Sequence, residues 1–309
     1  MTIRVVKPGL FTTVQDRGRF GYVHLGISPA GAADLLSLRI ANLLVGNDEY
    51  APTLEMTLLG ATLEFDEPAV VAISGASCDS KVDSNTFPMS SAVEVPRGSV
   101  LQCGAATDGA RYYLAIQGGF DVPTVMGSAS TDIRGRFGGF EGRRLQSGDL
   151  LRVRGLERAR TRRLRGGALE SIRRSGILRV TTGGQRGWFS DDTYEKFLAT
   201  SYVVSEQSDR AGLRLKGDAI STREPRQLLT DGTPLGAIQV PQDGQPIILF
   251  VDQQTTGGYP KIANVITADA YCVGQLRPRD AVRFTEVSIP EAIAALCDQE
   301  HWLKEIWED

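Results

Sequence analysis

Short apolar runs cut by turn residues, rather than long periodic stretches, dominate this chain. Residues 2–6 alternate as a strand, Pro8-Gly9 turns, and residues 11–16 resume an extended pattern before the glycine-rich segment 17–26. Further strands are predicted at 63–65, 70–73, 93–95 and 112–116, each bounded by turn formers. Helical spacing occurs in two places. Leu36, Ile40, Leu43 and Leu44 share one helix face, with Asp34 as N-cap and Gly46-Asn47 as the stop. Near the end, Ser288-Ile289-Pro290-Glu291 reads as a capping box, and Ile293, Leu296, Cys297 and Leu303 form the apolar face of a C-terminal helix. The predicted fold class is mainly β, with a few helices.

Length turns this pattern into domains. At 309 residues, with 41% hydrophobic and 23% charged positions, the chain exceeds one ordinary domain. The expected division is a first domain at 1–155, a linker at 156–175 and a second domain at 176–309 that ends in the helix. The linker carries Arg158, Arg160, Arg162, Arg163, Arg165, Arg173 and Arg174, with little periodic apolar signal. The halves also echo each other. Leu145, Asp149 and Arg152 match Leu276, Asp280 and Arg283, and Tyr112 through Gly118-Gly119-Phe120 resembles Ile248 through Gly257-Gly258-Tyr259. Two matches in the same order point to an internal duplication.

Charge and cysteine content narrow the function classes. A net charge of −3 offers no cationic field for a phosphodiester backbone, so no nucleic-acid partner is expected. No stretch approaches the roughly 18 to 20 apolar residues of a membrane span, and the first ten positions lack a secretory core; a cytoplasmic protein without a membrane partner is expected. Cys78, Cys103, Cys272 and Cys297 are too widely spaced for a zinc ribbon and read as reduced structural thiols. With His24 and His301 as the two histidines, a multi-histidine metal site is excluded, and no metal is expected. The phosphate-binding Gly-x-x-x-x-Gly-Lys-[Ser/Thr] motif is absent.

What remains is a set of polar clusters in glycine-rich loops. They are Gln15-Asp16-Arg17-Gly18-Arg19, Gly127-Ser128-Ala129-Ser130-Thr131, Ser208-Asp209-Arg210, Gln239-Val240-Pro241-Gln242-Asp243-Gly244 and Asp252-Gln253-Gln254-Thr255-Thr256-Gly257-Gly258-Tyr259-Pro260. Guanidinium, amide and hydroxyl donors in such loops suit polarising an amide carbonyl or gripping a carboxylate. The competing reading is that the Asp-Arg pairs hold turns together.

The run Thr12-Thr13-Val14-Gln15-Asp16-Arg17-Gly18-Arg19-Phe20-Gly21 and the segment Ile40-Ala41-Asn42-Leu43-Leu44-Val45-Gly46-Asn47 resemble the biotin-dependent carboxyltransferase-like family. Gly138-Gly139-Phe140-Glu141-Gly142-Arg143, Ser208-Asp209-Arg210-Ala211-Gly212 and the Asp252 to Pro260 loop carry the same resemblance. The family includes the C subunit of prokaryotic 5-oxoprolinase and the second allophanate hydrolase domain of urea carboxylase. The resemblance implies two tandem cyclophilin-like β-barrel domains. It further implies an enzyme subunit that works with a related B subunit and a barrel-type A subunit, in ATP-dependent hydrolysis of 5-oxoproline to L-glutamate. ATP would be shared with those partners, and the substrate would be a small amide or lactam. The alternative is the carboxyltransferase component of a biotin-dependent urea carboxylase, with biotin on a separate chain. A second alternative is a regulatory binding protein that antagonises a kinase inhibitor. On the matching positions, Gln15, Asp16, Arg19, Asp209 and Arg210 are the expected catalytic residues. Ser130, Thr131, Arg143, Gln239, Asp252, Gln253, Thr255, Thr256 and Tyr259 are the expected substrate-binding residues. Ala129 stands where the family commonly has Arg, and Leu229-Thr230-Asp231-Gly232 where it shows Ser-Glu-Gly.

Overall fold

Turn residues cut the chain into strands that include those predicted at 2–6, 11–16, 63–65, 70–73, 93–95 and 112–116. The computed structural model describes residues 1–155, 160–169, 176–223 and 228–308. Two units emerge: one comprises Met1–Arg19, Ala30–Ala168 and Ile306–Asp309, the other Phe20–Pro29 and Leu169–Glu305.

In the first unit the strands are β1 (Thr2–Lys7), β2 (Phe11–Gln15), β3 (Thr53–Thr57), β4 (Thr62–Phe65), β5 (Ala69–Gly75), β6 (Lys81–Val82), β7 (Asn85–Thr86), β8 (Val93–Val95), β9 (Val100–Gln102), β10 (Arg111–Ile116) and β11 (Leu150–Arg152). They form a six-stranded sheet, β11-β1-β4-β9-β6-β7, and a five-stranded sheet, β2-β3-β10-β5-β8. Ile3, Val5, Leu63 and Phe65 of the one share a core with Val14, Leu54, Met56 and Leu114 of the other. Each such side chain contributes about 1.5–3 kcal/mol through burial. Helix α1 (Leu35–Leu44) starts where Asp34 accepts the Ser37 N–H at 2.9 Å, and its buried face includes Leu36, Ile40 and Leu44.

Strand β10 is buried along its whole length and its neighbours β2, β3 and β5 nearly so, which leaves polar residues inside. Register places Thr13 beside Glu55, Glu55 beside Tyr113 and Tyr113 beside Ser74, and all four are buried. Glu55 Oε2 accepts the Tyr113 hydroxyl at 2.7 Å and the Ala33 N–H at 2.8 Å, so the row is satisfied rather than stranded. Burial first, then the Glu55 charge, holds the Tyr113 phenol well above its usual pKa.

The second unit contains β12 (Ile177–Thr182), α2 (Asp191–Ala199), β13 (Tyr202–Val204), β14 (Gly212–Lys216), β15 (Asp231–Gly232), β16 (Ala237–Gln239), β17 (Ile247–Leu249), β18 (Thr256–Gly257), β19 (Lys261–Val265), α3 (Ala270–Gln275), β20 (Ala281–Glu286) and α4 (Ile289–Glu305). Seven strands close a barrel in the order β12-β19-β16-β17-β14-β13-β20, and β15 pairs with β18 as a separate two-stranded flap. Phe197 of α2 stacks on Phe284 of β20 at 4.8 Å between centroids, with Tyr194 and Tyr202 around them.

The duplicated Asp turn is the same structure twice. Val5 donates to Asp149 O at 2.9 Å and Gly148 to Val5 O at 2.8 Å; Val204 donates to Asp280 O at 2.9 Å and Arg279 to Val204 O at 2.8 Å. The carboxylates of Asp149 and Asp280 each accept the N–H three residues earlier, at 2.7 Å. The Gly-Gly-aromatic segments are not equivalent: Gly118 and Gly119 turn with positive φ, whereas Gly257 lies in β18.

Two expectations need adjustment. Of the arginine-rich stretch, residues 156–159 and 170–175, including Arg158, Arg173 and Arg174, lie outside the described residues. Between them the backbone is built into the first unit: Arg165 donates to Ile306 O at 2.8 Å, and Arg163 O accepts the Glu308 N–H at 2.9 Å. The capping box of α4 forms, with Ser288 N donating to Glu291 Oε2 at 2.7 Å. Its expected apolar face does not bury as a whole, because the helix is anchored through its C-terminal half. Gln299 bonds Ala268 O at 2.9 Å and Leu303 is buried, while Ile293 and Cys297 are exposed.

Candidate functional site

The sharp turn after β2 brings Asp16 under the 127–131 loop. Its carboxylate accepts the Gly18 N–H at 2.8 Å, the Ser128 hydroxyl at 2.6 Å, the Ala129 N–H at 2.6 Å and the Ser130 hydroxyl at 2.5 Å. Four donors saturate a buried carboxylate, which makes it an anchor for the loop. Arg19 is also buried. It donates to Ser130 O and lies over the Phe137 ring, 4.8 Å from its centroid. Gln15 donates to Thr13 Oγ1 at 3.0 Å and Thr131 O at 3.4 Å, and its Oε1 is buried without a hydrogen-bond partner. Thr131 Oγ1 donates back to Val14 O at 2.9 Å.

Glycine at 139 is required by this packing. With φ at +54°, a Cβ there would stand 1.9 Å from Thr131 Oγ1. Gly139→Ala is therefore expected to cost at least about 2 kcal/mol from backbone strain and overlap together, seen as a lower thermal midpoint.

Arg143 stands apart from the Asp16 cluster. It is bidentate on Asp149, at 2.7 and 2.9 Å, and also holds Glu141. Burial opposes ionisation of Asp149, but the Arg143 bonds and the Gln146 N–H outweigh it and hold the carboxyl below its usual pKa of 3.8. A lowered folded-state pKa adds stability that is complete above the unfolded value and is lost as pH falls through the folded one. Arg143→Ala should thus destabilise by about 1 kcal/mol at neutral pH. The difference from wild type should vanish in acid, where Asp149 is protonated in both; parallel denaturation curves across pH test this.

The second unit gathers the other predicted residues. Arg210 holds Asp252 with two bonds, at 2.7 and 3.1 Å, and both side chains are buried. Asp209 is exposed and shapes the turn, accepting Ala211 and Gly212 N–H groups at 2.8 and 3.1 Å. Gln253 donates to Thr233 O at 2.8 Å, and its Oε1 has no partner. Gln239, at 1% exposure, has an unpartnered Nε2. Thr255 is buried, while Thr256 and Tyr259 are exposed on and beside the flap. Of the predicted residues, Tyr259 lines a cleft of ≈ 1050 Å³ together with Val240, Pro241, Gly258 and Pro260.

One residue of this region escaped the sequence reading. Lys261, buried at 5% exposure, donates to Asp231 Oδ2 at 2.6 Å and Gly232 O at 3.0 Å. The Lys261 hydrogen bond holds the exposed Asp231 carboxyl below its usual range. Its signal was a lone lysine opening an apolar strand.

A family model for the carboxyltransferase domain, subdomain A and B, matches residues 25–286. The chain belongs to this carboxyltransferase family. Within the family it is similar to the 5-oxoprolinase C subunit of Escherichia coli, 38% identical over 98% of this chain and 97% of that protein. It is likewise similar to the 5-oxoprolinase C subunit of Haemophilus influenzae, 36% identical over 95% and 94%. Among solved structures, the K. lactis urea amidolyase superposes over 100% of this chain with a TM-score of 0.94 at 31% identity. This chain spans only 20% of that protein. Among the described residues no helix is long and apolar enough to cross a membrane.

Proposed function

We propose that this chain is the C subunit of a 5-oxoprolinase, acting with other subunits in ATP-dependent hydrolysis of 5-oxoproline to L-glutamate. The observation that carries this reading is the match to two proteins of that name over nearly the full length of both partners. The share of the chemistry that falls to this chain is to bind and orient the lactam. Gln239, Thr255, Thr256 and Tyr259 are assigned to contact with substrate. Asp16, Ser130, Thr131 and Arg19 hold the 127–131 loop, and Arg210 with Asp252 and Gln253 holds the 252–256 loop.

The nucleotide is assigned to the partner subunits. Arg210 is bidentate on Asp252 and Arg19 turns to Ser130 O and the Phe137 face, so these guanidiniums do not fit a triphosphate cradle.

The decisive experiment co-purifies the chain with its partner subunits and measures glutamate released from 5-oxoproline and ATP. Release is expected from the complete complex and not from the chain alone. Turnover by the isolated chain would overturn the need for partners. The second reading, carboxyl transfer to urea from biotin held on another chain, is favoured by the superposition on urea amidolyase. A complete complex that leaves 5-oxoproline intact but supports biotin-dependent carboxylation of urea would replace the first reading with this one.

A further inference from the structure

Gln239 and Lys261 are register partners on the antiparallel strands β16 and β19, beside a bulge. Directly paired side chains share a face and stand about 5 Å apart at Cβ. Above them lies the β15–β18 flap. Lys261 reaches it through Asp231 and Gly232 O, and a Cβ on Gly257 would stand 2.7 Å from Gln239 Nε2. The next residues of the same two segments, Val240 and Pro260, are bonded to each other at 3.0 Å and line the ≈ 1050 Å³ cleft.

Two features of this pair are costly for structure alone. A buried ammonium opens a strand whose following residues, Ile262 and Ala263, are fully buried and apolar. A buried carboxamide donor makes no hydrogen bond, a state that works against folding. An orphaned donor beside a cleft marks a place where a partner comes from outside. The ammonium has three protons, of which Asp231 Oδ2 and Gly232 O take two. The Asp231 side chain is 51% exposed, so water can take over its solvation when Lys261 turns away.

We infer that Lys261 and Gln239 form the seat for a planar amide group, a lactam or a ureide. Lys261 donates to the ligand carbonyl oxygen, and the Gln239 carboxamide meets the ligand's amide edge. Asp231 competes with the ligand for the ammonium. The inference deepens the proposed function by naming the residues that grip its amide substrate.

The test uses two probes and three variants. Binding of 5-oxoproline and of biotin methyl ester to the full chain is measured by calorimetry, and KM and kcat for 5-oxoproline are measured in the reconstituted complex. Lys261→Met should weaken binding and raise KM about 10- to 100-fold, the range of one charge-assisted hydrogen bond. Gln239→Leu should act in the same direction. Asp231→Asn should act oppositely, tightening binding up to about fivefold by releasing the ammonium. A merely structural lysine would make Lys261→Met and Asp231→Asn move together, and that outcome overturns the inference. So does a folded Lys261→Met variant that binds both probes like wild type, or a wild-type chain that binds neither. Should Lys261→Met fail to fold, the sign of the Asp231→Asn effect decides. Lysine-dependent binding of biotin methyl ester alone keeps the seat and discards the oxoprolinase reading; normal turnover of 5-oxoproline by Lys261→Met does the reverse.

Discussion

Asp16→Ala is expected to lower the unfolding free energy by about 3–5 kcal/mol, measured by equilibrium urea denaturation of the full chain. The carboxylate collects Gly18 N, Ser128 Oγ, Ala129 N and Ser130 Oγ in a buried site, and alanine leaves all four without an acceptor. Asp16→Asn keeps the shape and discriminates between roles. Oδ1 takes three of the donors and Oδ2 takes the Ala129 N–H, so an amide can serve the first three while its NH2 opposes the fourth. About half the destabilisation should remain. For an anchor, turnover per folded molecule in the complex stays within about tenfold of wild type. A loss of about 10²- to 10⁴-fold with unchanged stability would instead identify Asp16 as a general base and sink the anchoring role.

Arg210→Ala should be about as damaging, at roughly 3–5 kcal/mol, because it removes two charge-assisted bonds from the buried Asp252 carboxylate. Replacing both members, as Arg210→Met with Asp252→Leu, should restore much of that loss, since two apolar side chains of similar size carry no stranded charge. The same denaturation series reads both variants. If Arg210→Ala unfolds like wild type while the complex loses about 10²- to 10³-fold in kcat, the guanidinium is an oxyanion donor and its pairing with Asp252 is incidental. The double variant also tests whether the 252–256 loop keeps its shape. Restored stability with lost substrate binding would show that the ion pair positions Gln253 and Thr255.

Both predictions rest on residues that the sequence singled out, but with roles that only the tertiary structure supplies. The Gln15 to Arg19 run and the 127–131 loop were visible as polar clusters in glycine-rich segments, and both lie in one buried network of the first unit. Their partners were not visible, because bonds from Asp16 to Ser128, Ala129 and Ser130 join residues more than a hundred positions apart. Arg143 and Asp209 shared the same residue types and glycine context. In the fold they hold turns, which no local pattern distinguishes from a site.

Sequence alone determined the elements whose causes are local. Alternation and short apolar runs bounded by turn residues placed β1, β2, β4, β5, β8 and β10; Asp34 and Gly46 bounded α1; Ser288 and Glu291 started α4; and the Leu-x-x-x-Asp turn declared its own duplication. Caps, turns and period-two patterns act over a few residues, so they are written in consecutive letters. Tertiary structure decided what depends on register and closure: the buried polar row through Glu55 and Tyr113, the seven-stranded barrel, and the pairing of Gln239 with Lys261 under the flap. A strand records which residues alternate but not which strand it meets. Where both faces of a sheet are buried, that choice of neighbour turns an isolated Lys or Gln into part of a site.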